Sequence, residues 1–150
     1  MPSEPNLLRD RLDRFGTRVI KFIRTLPDDP ASKDIAFQLG RAGPGIGSNH
    51  RSARRARSRA EFISRLAVAL DEADESEYWL SRIQESGITA GKELEWLVGE
   101  SCELRAILSA SVATARRNYE ASGPPAPPRK PRRRRLRGKR RTRRNGSADR

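Results

Sequence analysis

Residues 58–87 decide the fold, and they read SRAEFISRLAVALDEADESEYWLSRIQESG. Apolar residues recur there at intervals of three, four and seven, at Phe62, Leu66, Leu70, Ala73, Leu80 and Ile83. Such intervals place side chains on one face of an α-helix. Ser58 and Glu61 have the spacing of a capping box, in which each side chain bonds the backbone N–H of the other residue. Gly87 is suited to end the helix in the left-handed conformation, so we expect a helix that ends near Glu85.

Three further segments show the same helical period. The first covers residues 8–26 and ends before a pair of prolines, and the second begins near Ala31. Pro44 and the glycines around it predict a kink or a break in the second helix. Thr89 is expected to cap the fourth helix. Since no segment alternates like a strand, the sequence predicts an all-α, antiparallel up-and-down four-helix bundle over residues 7–120.

The two ends of the chain differ from this domain. We expect residues 1–6 to be disordered, and residues 121–150 to form a proline-rich spacer and a disordered Arg/Lys-rich tail. Residues 123–150 contain 13 Lys or Arg and one acid, a net charge of +12, whereas the whole chain is +13. A run of like charges cannot bury itself, and its natural partner is a polyanion. The alternative is a passive, solvated tail.

Nucleic-acid contacts of such a tail are mostly to phosphates, so they are not sequence-specific and weaken with salt. The tail has no aromatic residue, so base stacking by the tail is not supported. The candidate nucleic-acid-binding residues are Arg129, Lys130, Arg132, Arg133, Arg134, Arg135, Arg137, Lys139, Arg140, Arg141, Arg143 and Arg144.

A second basic patch lies inside the predicted bundle, at Arg51, Arg54, Arg55 and Arg57. It has two interpretations. These arginines contact phosphates, or they neutralise the acidic cluster of helix three (Asp71, Glu72, Asp74 and Glu75) within or between subunits. Because residues 1–122 net only +1, we favour the second interpretation for most of them.

The sequence lacks the combinations of residues that catalytic sites and metal sites need. His50 is the single histidine, so neither a zinc site nor a bundle di-iron site is expected, and we predict no metal or cofactor. Cys102 is expected to be a small buried hydrophobe rather than a nucleophile. The N-terminus has no signal-peptide pattern and no segment is apolar enough to span a membrane, so we expect a cytoplasmic protein.

Residues 44–80 resemble a known family. The matching positions include Asn49, Ser58, Glu61, Phe62, Glu72, Asp74, Glu75, Tyr78 and Trp79. The family is that of the small bacterial four-helix-bundle proteins first noticed as products of intervening sequences in large-subunit ribosomal RNA genes. The resemblance implies an up-and-down bundle without catalytic activity that assembles into a homopentamer. A more distant relative, the accessory protein of diversity-generating retroelements, binds nucleic acid and a reverse transcriptase. His50 and Gly45 depart from the family pattern.

Together these features predict a non-enzymatic, oligomeric bundle that binds RNA or DNA mainly through its tail. Tyr78 and Trp79 are candidates for a subunit interface, with core packing as the alternative. The competing function is a protein–protein interaction scaffold or accessory subunit whose tail is passive.

Overall fold

The computed structural model describes residues 7–123, which contain four helices and no strand. The helices are α1 (Leu7–Ile23), α2 (Pro30–Arg54), α3 (Arg59–Ser86) and α4 (Lys92–Ala121). Helices that are consecutive in sequence pack against each other, and α1 also touches α4. Residues 7–123 therefore confirm the predicted all-α four-helix bundle. Residues 1–6 and 124–150, for which we predicted disorder, lie outside the described residues.

One continuous apolar core runs through the bundle. Its fully buried side chains include Phe15, Val19, Leu39, Ile46, Leu80, Ile83, Leu97, Leu104 and Leu108. Burying one such side chain stabilises a protein by about 1.5–3 kcal/mol relative to leaving it in water. The predicted stripe of α3 faces this core, with Leu66 and Ala73 buried and Phe62 half-buried.

The ends of α3 lie where the sequence predicts them. Ser58 has extended backbone, and its hydroxyl accepts from the Glu61 N–H at 3.1 Å. The reciprocal half of the capping box was wrong, because the Glu61 carboxylate accepts from the Arg57 N–H at 3.0 Å instead. Gly87 ends the helix with φ of +69°, the left-handed conformation that was predicted.

The predicted break at Pro44 was wrong, because α2 is one unbroken helix from Pro30 to Arg54. Pro44 does remove one hydrogen bond from the helix. Close packing against α1 offsets this cost. A Cβ added at Gly43 would lie 2.8 Å from the Val19 Cγ1, and one added at Gly40 would lie 2.8 Å from the Ile23 Cδ1. The glycines that predicted disruption thus allow two backbones to approach closely.

The cap predicted at Thr89 was also wrong. Gly91 is the residue before α4, with φ of +132° and no side-chain hydrogen bond at the cap. Glu93 in the first turn is bound by Arg18 of α1, which holds the start of α4 on the bundle. A carboxylate near a helix N-terminus is also favourable to the helix dipole.

Candidate nucleic-acid interface

The positive charge of the bundle is concentrated where α2 ends and α3 begins. Residues 51–65, here called the basic corner, hold six arginines and one acid, a net charge of +5. The other described residues hold 13 basic and 16 acidic groups, a net charge of −3. The small net charge of the domain therefore results from separated charges of opposite sign, not from a neutral surface.

Local structure accounts for this placement in part. Arg51 and Arg54 lie in the last turn of α2, where cations interact favourably with the negative end of the helix dipole. Glu61 lies in the first turn of α3, where an anion is favourable, and its bonds to Arg57 keep the pKa of that carboxyl below its usual value. Dipole effects stabilise a surface charge by about 0.3–1 kcal/mol and act only within the last turn of the helix. They therefore explain Arg51 and Arg54 but not the other four arginines of the corner.

Arg9 of α1 joins the corner. Together with Arg51, Arg54 and Arg55 it lines a concavity of about 400 Å³. Arg9 also bonds Asp10 at 3.1 Å, and Arg51 lies 3.5 Å from Asp13. Arg9 was not among the predicted residues, because it is distant from the other arginines in the chain. The antiparallel pairing of α1 with α2 brings the start of α1 to the end of α2. The predicted bundle topology was therefore the signal that could have identified Arg9.

The predicted neutralisation of the corner by the acidic cluster of α3 does not occur within the chain. Among residues 7–123, no carboxylate lies within ion-pair distance of Arg54, Arg55 or Arg59. The reason is the length of α3. Arg59 and Asp71 are 12 residues apart in α3, which is about 18 Å along the helix.

The acidic cluster has partners of its own. Glu72 packs against α2, where a Cβ added at Gly45 would lie 3.0 Å from its carboxyl carbon. Burial there, together with the charge of Glu75, raises the pKa of Glu72. Asp74 lies 4.0 Å from Arg105 of α4, and Arg105 also bonds Glu77. These contacts join α3 to its neighbours and give the cluster a structural role.

A groove lies beside the corner, between the first turns of α3 and the last turns of α4. Arg59, Phe62, Tyr119 and Ser122 are among the residues that line it, and its volume is about 570 Å³. Gly123 follows directly, with φ of +70°. The described part of the chain therefore ends close to Arg59. The tail candidates, Arg129 to Arg144, lie outside the described residues.

The remaining family-motif residues do not form one site with the corner. Asn49 donates to the Gly45 carbonyl within α2, at 3.0 Å. Tyr78 and Trp79 lie in the second half of α3, with ring centroids 4.9 Å apart in an edge-to-face arrangement. The indole N–H of Trp79 donates to Glu75 at 3.2 Å, and Trp79 packs partly on the core. Tyr78 is 54 % exposed.

His50 and Cys102 both lie in surroundings that favour their uncharged forms. His50 is buried, and its Nδ1 atom has no hydrogen-bond partner among the described residues. Burial, and then the charge of Arg54, lowers the pKa of His50 and favours the neutral ring. Cys102 is half-buried rather than buried, and burial raises the pKa of its thiol.

Residues 7–123 contain no group of three or more side chains placed to hold a metal ion. Within this range no helix combines the length and the apolar character needed to cross a bilayer.

Two comparisons relate this geometry to known proteins. The model of the 23S rRNA-intervening sequence protein family matches residues 10–110. A crystal structure of a protein of unknown function from the S23 ribosomal protein family of Bacteroides thetaiotaomicron is similar to the chain, with a TM-score of 0.65 and 30% sequence identity. The similarity covers 70% of this chain and 97% of that one. No curated protein matches the chain significantly.

Proposed function

The chain belongs to the 23S rRNA-intervening sequence protein family, and on this premise we propose a non-enzymatic, oligomeric bundle that binds the backbone of RNA or DNA. The observation that carries the proposal is the basic corner, which lies beside the residue where the Arg-rich tail begins. Ser122, two residues before the undescribed part of the chain begins, lines the same groove as Arg59.

The corner supplies charges that are free to bind phosphate. Arg54, Arg55 and Arg59 have no ion-pair partner within residues 7–123, so a phosphate does not have to displace a carboxylate from them. Arginine suits this task because its planar group donates two parallel hydrogen bonds to phosphate oxygens. Such contacts position the protein on the backbone and carry no sequence preference.

The tail supplies the larger share of the charge. Its twelve candidate residues between Arg129 and Arg144 outnumber the arginines of the corner two to one. Binding to a duplex changes log affinity with log salt by roughly −0.9 per neutralised phosphate, or about −0.7 for a single strand. A tail that uses half of these groups, together with three corner arginines, gives a slope of about −6 to −8.

The test is a salt titration of binding to a generic RNA and a generic duplex DNA. Truncation after Ser122 is expected to reduce the slope to about −2 to −3, the share of three corner arginines. Circular dichroism of the truncated protein serves as the control, since loss of helix would make the comparison meaningless. If neither form binds at low salt, the nucleic-acid proposal fails and the interaction scaffold replaces it.

The proposed assembly is supported by exposed aromatic side chains. Phe37 is 63 % exposed and Tyr78 is 54 % exposed, and the guanidinium groups of Arg41 and Arg82 lie within 6 Å of their rings. Aromatic residues and arginine are enriched in protein interfaces. The homopentamer itself is what the family resemblance implies. Several tails on one assembly would bind a nucleic acid multivalently.

Light scattering of the full chain tests the assembly. We expect a closed oligomer that Tyr78→Ser or Phe37→Ser dissociates at micromolar concentration. Ile20→Ser is the matched control, because Ile20 is another exposed apolar residue, on α1, at 47 % exposure. A monomeric wild-type protein would overturn this part of the proposal and leave nucleic-acid binding untouched.

A further inference from the structure

Among residues 7–123, the groove between α3 and α4 is open because α1 does not reach it. α1 binds the first half of α4, through Arg18 to Glu93 and Arg11 to Glu100. The described part of α1 begins at Leu7, so the last turns of α4 pack on α3. This leaves a concavity of about 570 Å³ whose walls are mainly apolar, with Phe62, Ile63, Ala115 and Tyr119 among them.

We propose that this groove binds an unpaired nucleobase of a single strand whose backbone lies on the basic corner. The proposal rests on the proposed function and goes further, because it names a class of nucleic acid and a base-binding site. Arg59 belongs to both surfaces, since it lies in the corner and lines the groove. A phosphate on Arg59 therefore brings its own base to the mouth of the groove.

The groove has the groups that base recognition uses. Phe62 and Tyr119 provide aromatic surfaces, and single-strand-binding proteins hold bases by stacking them on such rings. The side-chain amide of Asn118 also lines the groove and carries both a donor and an acceptor for the edge of a base. The tail contains no aromatic residue, so the folded domain supplies what the tail lacks.

Charge favours a nucleic acid over the other occupants of an apolar groove. The net charge of +5 beside the groove favours an anionic occupant, and the phosphates of a nucleic acid supply that charge. Residues 129–144 of the tail contain twelve basic groups and no acid, so charge does not favour them as the occupant. A duplex fits the corner but keeps its bases stacked inside, out of reach of the groove.

The experiment compares two single strands of equal length on the full chain, one normal and one abasic at its central positions. Both carry the same phosphates, so the difference between their affinities isolates the contribution of the bases. We expect the normal strand to bind at least fivefold more tightly. Equal affinity for the two strands would overturn the base-binding groove, while salt-dependent binding of both would still support the proposed function. Absence of binding to either strand would overturn both.

Variants of Tyr119, and of one exposed residue outside the groove, locate the site. Tyr119→Ala is expected to remove the preference for the normal strand, and Tyr119→Phe is expected to retain it because the ring remains. Ile20→Ala is the control, since Ile20 is an exposed apolar residue of α1 that does not line the groove. If Tyr119→Ala keeps the full preference, the bases bind elsewhere and the inference is wrong. If this variant instead binds both strands more tightly, the groove holds part of the chain itself, which also overturns the inference.

Discussion

Gly16 of α1 lies so close to Pro44 of α2 that a Cβ added at Gly16 would be 3.0 Å from the Pro44 Cα. The next nearest atom, the Gly43 carbonyl oxygen, would be at 3.5 Å. Both are backbone atoms, which cannot rotate away as a side chain can. The contact holds α2 against α1 at the residue where the helix lacks a hydrogen bond, and it supports the continuity of α2.

Gly16→Ala is therefore expected to destabilise the protein by about 1–3 kcal/mol, the usual cost of overpacking a core. Gly99→Ala is the matched control, because Gly99 is a helical glycine with no atom within 4 Å of an added Cβ. There alanine should raise stability by about 0.5–1 kcal/mol, since it restricts the unfolded chain. Chemical denaturation measures both. Equal effects of the two variants would show that the helices do not approach closely at Gly16.

Ser58→Ala should lower the free energy of unfolding by about 1 kcal/mol, because the Glu61 N–H loses its acceptor. Ser109 is exposed and lies in the middle of α4, so Ser109→Ala should have little effect or be slightly stabilising. Thermal denaturation of the two variants makes the comparison. If Ser58→Ala is as stable as Ser109→Ala, the cap does not hold the start of α3.

His50 gives the stability a pH dependence of known sign. Burial lowers the pKa of His50, whereas in the unfolded chain the ring takes up a proton near pH 6.5. Below that pH the unfolded state binds more protons, so the contribution of His50 to stability is full above about pH 6.5 and is lost as the pH falls. The pKa values of Glu61 and Glu93 are lowered, so their contributions to stability are lost only in acid, as the pH falls below about 4.3, the pKa of an unperturbed glutamate.

The His50→Gln variant isolates this effect, because the chain has no other histidine. The free energy of unfolding, measured from pH 5 to pH 8, should depend clearly less on pH in the variant than in the wild type. The absolute stability of the variant is not the readout, so a cost of the substitution itself does not disturb the test. Identical pH profiles would mean that His50 titrates alike in the folded and unfolded chains.

The sequence predicted those features that depend on residues close in the chain. The apolar stripe of α3, the Ser58 cap and the left-handed Gly87 all follow from spacings of a few residues. The error at Pro44 has the opposite origin, because the continuity of α2 depends on Gly16 across an interface, and periodicity does not give that packing. The error in the pairing of the arginines has a local origin, since the acidic cluster begins 12 residues after Arg59 and that spacing is visible in the sequence.

The basic corner can be separated from the overall charge of the protein by two double variants of equal charge. Arg54→Gln with Arg55→Gln removes two corner arginines that have no ion-pair partner in residues 7–123, so two phosphate contacts are lost. The magnitude of the salt slope should then fall by about 1.4 to 1.8.

Lys21→Gln with Arg24→Gln removes the same charge from the end of α1, which is about 18 Å along the helix from Arg9. This control should leave the slope unchanged, because long-range effects of exposed charges are screened beyond about 10 Å at 0.1 M salt. Fluorescence anisotropy with a labelled RNA at several salt concentrations gives both slopes. If the two double variants reduce the slope equally, binding responds to the net charge of the protein, and the corner is not a distinct phosphate-binding surface.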